Sequence, residues 1–187
     1  MAVEAPYGAP AASRLFFGLW LPQPCASYLH TVAGGIVGRS SGGRLMREDT
    51  LHMTLAFLGD VPERRLPALL ELAAGLSLPR VPVSLDRLGF WPHNHILYAG
   101  SSAPAPALTA LADSLQATLL EAGFLTETRA FVPHVTLLRK VMHPGKLPVL
   151  PEQRWEAAEF SLARSWRSDR GAAYETVDRW PLQPQEQ

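Results

Sequence analysis

Hydrophobic and polar residues follow one another along the chain in short runs, many of them typical of β-strands. Such runs are either continuously apolar or alternate every second residue. They lie at residues 15–21, 51–58, 81–88, 95–99, 131–138, 157–165 and 174–179. The fourth run begins after Pro92-His93-Asn94, so we expect the third and fourth strands to form a hairpin. A polar turn is predicted at residues 167–171, between the last two strands.

Three further segments have the spacing of helices, at residues 24–37, 62–76 and 105–122. In the second of these, apolar residues recur every three or four positions, which is typical of an amphipathic helix. They are Leu66, Leu69, Leu70 and Ala73. Pro62 suits a first helical turn, and Gly123 suits the end of the third helix. Residues 38–49, with several Gly and Arg residues, are predicted to form a long polar loop.

The order of these elements favours an α+β fold. Strands and helices do not alternate strictly, and no Gly-x-Gly-x-x-Gly sequence follows a strand, which disfavours a dinucleotide-binding domain. Each half of the chain has strands and a long helix, and we therefore predict two similar lobes, each with an antiparallel sheet, around a central cleft. One domain is expected over residues 14–182, with flexible tails at residues 1–13 and 183–187.

Composition places the chain among ordinary globular proteins. Its 187 residues can bury a sizeable core, and 47% hydrophobic with 18% charged residues is far from the disordered range. The single cysteine, Cys25, cannot form an internal disulfide, and no apolar run is long enough to cross a membrane. We therefore expect a cytoplasmic protein, and a monomer. The zero net charge, from 17 basic and 17 acidic residues, disfavours binding of long nucleic acid.

Two His-x-Thr tripeptides are the strongest indication of chemistry: His52-Met53-Thr54 and His134-Val135-Thr136. Side chains alternate between the faces of a strand, so the His and Thr of each tripeptide share one face while the middle residue enters the core. A single copy is a weak signal. Two copies, each with apolar residues at the second and fourth positions, arise by chance in roughly 0.2% of such sequences, so the pair is specific.

Histidine and threonine are the residue types that phosphodiester transfer needs when no metal takes part. One group must accept the proton of the attacking oxygen, and another must protonate the leaving oxygen. The ordinary histidine pKa of about 6.5 allows one imidazole to be neutral while the other is charged. The hydroxyls of Thr54 and Thr136 can hold the non-bridging oxygens, and Arg139 can add a charge-assisted contact. The residues therefore predict a phosphodiesterase that uses no metal and no cofactor.

At these residues the chain resembles the two-histidine phosphoesterase superfamily and, within it, the bacterial and archaeal RNA 2′,3′-cyclic phosphodiesterases, earlier named 2′-5′ RNA ligases. The resemblance covers most of the chain, and no motif position departs from it. It rests on Arg14-Leu15-Phe16-Phe17, Leu51-His52-Met53-Thr54-Leu55-Ala56-Phe57-Leu58-Gly59, Phe131-Val132-Pro133-His134-Val135-Thr136-Leu137-Leu138-Arg139-Lys140, Phe160-Ser161-Leu162 and Trp180-Pro181-Leu182.

The resemblance implies a bilobal fold with an approximate internal two-fold axis. It also implies hydrolysis of a terminal 2′,3′-cyclic phosphate of RNA to a 2′-phosphate, and in some relatives the reverse 2′-5′ joining. By the same analogy, His52 is the general acid that protonates the 3′ oxygen, and His134 is the general base that activates water. Thr54, Thr136 and Arg139 hold the phosphate. The residues themselves leave the acid and base order open, because the two tripeptides are symmetric.

Other residues near the tripeptides have more than one interpretation. Basic residues flank the tripeptides and either surround an anion or are scattered, solvated charges: Arg39, Arg44 and Arg47 before the first, Arg129, Arg139 and Lys140 around the second. His93-Asn94-His95 could be a metal pair or a nuclease signature. It lacks further ligands at suitable spacing, so we interpret it as a surface turn. Phe131 is either a core residue or a surface on which the terminal base stacks.

Two other functions remain open. The first is a module that binds nucleotides or RNA ends without turnover, which the presence of both histidines disfavours. The second is a metal-dependent nuclease, which loss of activity in excess chelator would distinguish.

Overall fold

Antiparallel β-structure forms the centre of the molecule, which the computed structural model describes for residues 12–38, 40, 42–127, 129–168 and 171–184. Ten strands lie in these ranges. Their bounds are β1 (Ala12–Trp20), β2 (Arg44–Leu45), β3 (His52–Pro62), β4 (Val81–Leu85), β5 (Arg87–Trp91), β6 (Ile96–Gly100), β7 (His134–Arg139), β8 (Gln153–Ala157), β9 (Glu159–Ser168) and β10 (Gly171–Pro181).

Eight of the strands belong to one sheet, in the order β10-β9-β1-β3-β7-β6-β5, with β2 also pairing with β7. The sheet is narrowest between β3 and β7, where the register has the single pair Met53↔Val135. On either side of this seam the pairing is longer, with nine register pairs between β1 and β3 and five between β6 and β7. The predicted antiparallel α+β fold is confirmed, and the strands on the two sides of this seam belong to one continuous sheet.

Three helices in the described ranges cover one face of the sheet: α1 (Gln23–Val37), α2 (Leu66–Ala74) and α3 (Pro106–Glu121). Each has a proline in its first turn, where the missing N–H costs no helical hydrogen bond. In α3 the buried residues are three or four positions apart and contribute to the main core: Leu108, Leu111, Ala112, Leu115 and Leu119. Met53 and Val135 belong to the same core, so the alternate residues of β3 and β7 project from the opposite face.

The hairpin predicted from residues 81–88 and 95–99 is partly wrong. The chain leaves one sheet and enters another near Asp86, so β4 pairs with β8 in a separate two-stranded sheet while β5 pairs with β6. The Asp86 carboxylate accepts hydrogen bonds from Ser102 at this point. Strand β8, apart from its last residue Ala157, lies in a stretch for which the pattern predicted no element. A partner so distant in sequence is not encoded by local alternation of side chains.

Several element boundaries also differ from the predicted ones. Of residues 62–76, Glu63–Arg65 form a 3-10 turn and only α2 is α-helical. Strand β7 begins at His134 instead of residue 131, since Pro133 has no N–H to donate to a neighbouring strand. Gly123, with a φ of 74°, ends α3 as predicted.

The predicted tails overlap the described strands only at their inner ends. Strand β1 begins at Ala12, so two residues assigned to the tail belong to the sheet, and residues 1–11 lie outside the described residues. After β10, the backbone of Gln183 bonds to Leu78 and Arg80, and residues 185–187 lie outside the described residues. The same holds for residues 169 and 170 of the predicted turn. Within the described ranges, no helix combines the length and hydropathy required to cross a bilayer.

Candidate active site

The two His-x-Thr tripeptides lie side by side at the seam of the sheet. Met53 and Val135, their middle residues, are directly opposite each other on antiparallel strands and are fully buried. This register relates the tripeptides by a local two-fold axis. The His of each tripeptide is on the same side of the Met53–Val135 pair as the Thr of the other. The His and Thr side chains are half-buried and leave the sheet on the face opposite the helices.

A cleft of about 690 Å³ opens above the seam and includes every residue for which we predicted a role. These residues are His52, Thr54, Phe131, His134, Thr136 and Arg139. In the described part of the chain, neither the Thr54 nor the Thr136 hydroxyl has a protein hydrogen-bond partner. Both hydroxyls are therefore available to a ligand in the cleft.

Each imidazole is oriented by a main-chain carbonyl two residues before it. Nδ1 of His52 lies 2.7 Å from the Thr50 oxygen, and Nδ1 of His134 lies 2.8 Å from the Val132 oxygen. A carbonyl oxygen only accepts, so each Nδ1 carries the hydrogen and donates it. In both rings this leaves Nε2 as the nitrogen that can accept or release a proton.

The pKa of both imidazoles lies below the ordinary histidine value. Burial lowers the pKa of His52 to about 4; its bond to Thr50 opposes this, and the charges of Arg139 and His134 add to it. Burial also lowers the pKa of His134. The hydrogen bond to Val132 opposes this lowering, and the charge of Arg139 adds to it. Both rings therefore favour the neutral form at neutral pH, and the charge of Arg139 contributes to the lowering of both pKa values.

Arg139 lies at the end of β7, with its side chain half-buried and lining the cleft. Its Nε is buried and has no partner in the described part of the chain. A buried, unpaired donor on a cation is costly unless a ligand satisfies it. The position therefore suits an anion that enters the cleft between the two imidazoles.

Aromatic rings surround each imidazole. The rings of Phe16, Trp20 and Tyr174 lie 4.7, 5.1 and 5.0 Å from the ring of His52, and Tyr174 meets it edge-on. Sequence reasoning did not identify Trp20 or Tyr174. Tyr174 reaches the cleft because it lies opposite Ser165 on β9, which lies opposite Arg14 on β1. That register follows from the strand order, which no local pattern reveals.

On the other side, Trp91 meets the ring of His134 edge-on at 4.6 Å. Trp91 in turn stacks on Tyr98 at 4.2 Å, and Tyr98 lies 6.0 Å from His134. The sequence analysis assigned a role to neither Trp91 nor Tyr98. Phe131 is half-buried at the cleft, and its predicted stacking on a base stays a prediction.

The basic residues that flank the tripeptides are divided between the two interpretations. Arg129 and Arg139 line the cleft, although Arg129 forms an ion pair of 3.1 Å with Glu127. The other basic residues do not line it: Arg44, Arg47, which pairs with Asp49, and Lys140. Arg39 lies outside the described residues.

The His93-Asn94-His95 segment forms a turn between β5 and β6, as predicted. His93 and Asn94 are exposed and lie at the edge of the cleft. Nδ1 of His95 lies 3.2 Å from the Val141 oxygen, so this ring is tied to the backbone of a neighbouring loop.

Comparison with known proteins shows similarity over most of the chain. The family described as "LigT like Phosphoesterase" matches residues 19–98, which include the first tripeptide. The RNA 2′,3′-cyclic phosphodiesterase of Escherichia coli K12 is 33% identical over 172 residues, covering 90% of this chain and 96% of that protein. The enzyme of the same name from Thermus thermophilus is 31% identical, covering 90% of each. The crystal structure of E. coli LigT complexed with 3′-AMP superposes with a TM-score of 0.78 at 29% identity, covering 91% of this chain and 98% of that one.

Proposed function

Because the chain belongs to the LigT-like phosphoesterase family, we propose that it hydrolyses the 2′,3′-cyclic phosphate at RNA ends to a 2′-phosphate. The observation that supports this most directly is the pair of imidazoles, each held through Nδ1 by a carbonyl, at one cleft that also contains Arg139. Two proton-transfer groups and a cation around one space are what the reaction requires. Relatives named for this activity cover nearly the whole chain.

In the proposed complex the cyclic phosphate lies between the two tripeptides. The hydroxyls of Thr54 and Thr136 donate to its non-bridging oxygens from the two sides of the seam. Arg139 donates its unpaired Nε–H and supplies a positive charge. These contacts strengthen as negative charge develops on the phosphoryl oxygens, and they fix the phosphorus for in-line attack.

Two proton transfers complete the reaction. Nε2 of His134 accepts a proton from water as the water oxygen bonds to phosphorus. The bond between phosphorus and the 3′ oxygen breaks, and Nε2–H of His52 protonates that oxygen, leaving the phosphate on the 2′ position. This acid and base order follows the family resemblance. With a 5′-hydroxyl in place of water, the same two groups would form a 2′-5′ linkage: the 5′ oxygen bonds to phosphorus as His134 accepts its proton, and the 3′ oxygen leaves with a proton from His52. This reaction is part of the proposal.

The low pKa of His52 must rise if this residue is to act as an acid. A general acid must carry its proton, and a group with a pKa of about 4 is mostly neutral at pH 7. The bound phosphate brings a negative charge to the ring and neutralises Arg139, whose charge lowers the pKa of His52. Both changes favour the imidazolium. We therefore propose that substrate binding itself protonates His52.

The proposal includes a monomeric enzyme that needs no metal and no cofactor, with Phe131 stacking on the terminal base. An RNA bearing a 2′,3′-cyclic end should yield the 2′-monophosphate at the same rate with and without excess chelator. Loss of activity in chelator would indicate the metal-dependent alternative, and binding without any product would indicate the binding module. The 3′-phosphate isomer as product would contradict the assigned direction of bond cleavage.

A further inference from the structure

The cleft extends well beyond the two tripeptides, along strands β1 and β3. Its lining continues from Thr54 through Leu55 and Phe57 to Arg14. Along β1, Gly18 is opposite Thr54, while Arg14 is opposite Asp60. The four residues from Gly18 to Arg14 correspond to about 13 Å of strand. A phosphate held at Thr54 therefore leaves room for a nucleoside before Arg14.

The Arg14 side chain is held against an aromatic ring at the far end of this extension. Its guanidinium carbon lies 4.6 Å from the centroid of the Phe57 ring, a cation–π contact. The nearest cross-strand acid is Asp60, and Glu127 of the cleft is paired with Arg129. In the described part of the chain, no carboxylate lies within ion-pair distance of Arg14. Its N–H groups are therefore available to an anion.

Between the two cationic positions lies aromatic surface that a nucleoside can cover. Tyr174 lines the cleft, and its ring lies 5.5 Å from that of Phe16, midway between Arg14 and Gly18 along β1. An RNA chain that ends in a cyclic phosphate leaves its terminal nucleoside through the 5′ oxygen, and the next charged group is a backbone phosphate. The cleft presents a phosphate site, then an aromatic surface, then a cation. This order matches the order of groups in the RNA end.

We propose that Arg14, oriented by Phe57, binds a backbone phosphate on the 5′ side of the terminal nucleoside. The preferred substrate is then an oligonucleotide end, not a mononucleoside cyclic phosphate. This inference rests on the proposed function, because it takes the cyclic phosphate to be bound at the tripeptides. A planar guanidinium stacked on a ring loses little freedom when it binds a phosphate, which is why Arg suits this position better than Lys.

The test compares a nucleoside 2′,3′-cyclic phosphate with a trinucleotide that ends in the same group. We expect kcat/KM to be at least about tenfold higher for the trinucleotide, and Arg14→Ala to lower the ratio of the two values at least about fivefold. For a single-stranded ligand, each phosphate contact contributes about 0.7 to the slope of log affinity against log salt. Arg14→Ala should reduce the slope for the trinucleotide by that amount, while Arg14→Lys should retain it.

Arg154→Ala is the matched control. Arg154 lies on β8, away from the cleft, in an exposed ion pair with Glu152, so its loss removes the same charge without changing the ratio. Phe57→Leu should lower the ratio in the same direction as Arg14→Ala. If both substrates are hydrolysed but the ratio of their kcat/KM values is the same in the wild type and in Arg14→Ala, the inference is overturned. Failure of the wild type to hydrolyse either substrate would instead contradict the proposed function.

Discussion

The two halves of the sheet present the same tripeptide in the same backbone setting but with different surroundings. In both, a carbonyl two residues earlier accepts a hydrogen bond from Nδ1, and the middle residue of the tripeptide is buried at the seam. The side chains on the neighbouring strands differ. Trp20 is opposite His52 on β1, whereas Gly100 is opposite His134 on β6.

Opposite the threonines the sizes are reversed: the small residue is on the His52 side and the large one on the His134 side. Gly18 is opposite Thr54, and the large Tyr98 is opposite Thr136. An aromatic side chain therefore supports each imidazole, but from different strand positions. The His52 ring has three aromatic neighbours within about 5 Å, and its pKa of about 4 reflects this burial. The two imidazoles therefore share the same backbone hydrogen bond but differ in their aromatic surroundings, and burial lowers the pKa of both.

Removal of either imidazole is expected to have the largest effect. His52→Ala and His134→Ala should each lower kcat by roughly 10²- to 10⁴-fold, because this is what a general acid or base contributes. The rate of 2′-phosphate formation measures this, with circular dichroism as a check that the fold is intact. Near-normal turnover by either variant would show that the two halves are not equally essential.

Removal of the shared cation should affect binding more than proton transfer. Arg139→Ala is expected to raise KM about tenfold, since its Nε is unpaired and we propose that this group and its charge bind the phosphate. Its charge also lowers the pKa of both histidines, so both limbs of the pH profile should move slightly upward. Steady-state kinetics across the pH range measure both quantities. An unchanged KM would exclude Arg139 from phosphate binding.

Two glycines allow the support of each imidazole to be disturbed separately. A Cβ at Gly89 would lie 2.3 Å from the Tyr98 ring, which stacks on Trp91 beside His134. A Cβ at Gly18 would lie 2.9 Å from the Met53 oxygen and 3.6 Å from the His52 ring. We expect Gly89→Ala and Gly18→Ala each to lower kcat about three- to tenfold, the first by displacing the support of His134 and the second that of His52.

The two variants should also differ in their pH profiles. Gly89→Ala is expected to shift the limb that reports on His134, and Gly18→Ala the limb that reports on His52. Gly35→Ala in α1 is the matched control, because its Cβ would meet no atom within 4 Å. It should leave the kinetics unchanged and stabilise the helix by about 1 kcal/mol. Identical profiles for all three variants would show that the aromatic rings do not position the histidines.

The site residues that could be predicted depend on a pattern within one strand, whereas those that were missed depend on how distant strands pair. His52, Thr54, His134 and Thr136 could be predicted because the alternation of polar and apolar residues within one strand fixes their common face. Tyr174 could not, because it reaches the cleft only through the order β10-β9-β1. Register shifts within the β1–β3 and β6–β7 pairs change which side chains are neighbours, and no single strand shows where such a shift occurs.

Other errors in the predicted fold have the same cause. The run at residues 81–88 has the pattern of one strand, yet Asp86 divides it between two sheets. The partner of β4 is β8, about 70 residues later in the chain. The alternation of side chains shows that a segment is extended and half-buried, but it does not identify the strand with which it pairs.

The central claim, that both imidazoles face one phosphate, is tested most directly by an NMR titration of the histidine rings without and with a nucleoside 2′-phosphate. Without ligand, His52 should titrate at about 4 and His134 below 6.5. Because a bound anion favours the charged form of a nearby ring, both values should rise in the complex. A rise at only one of the two histidines, or at neither, would contradict the account.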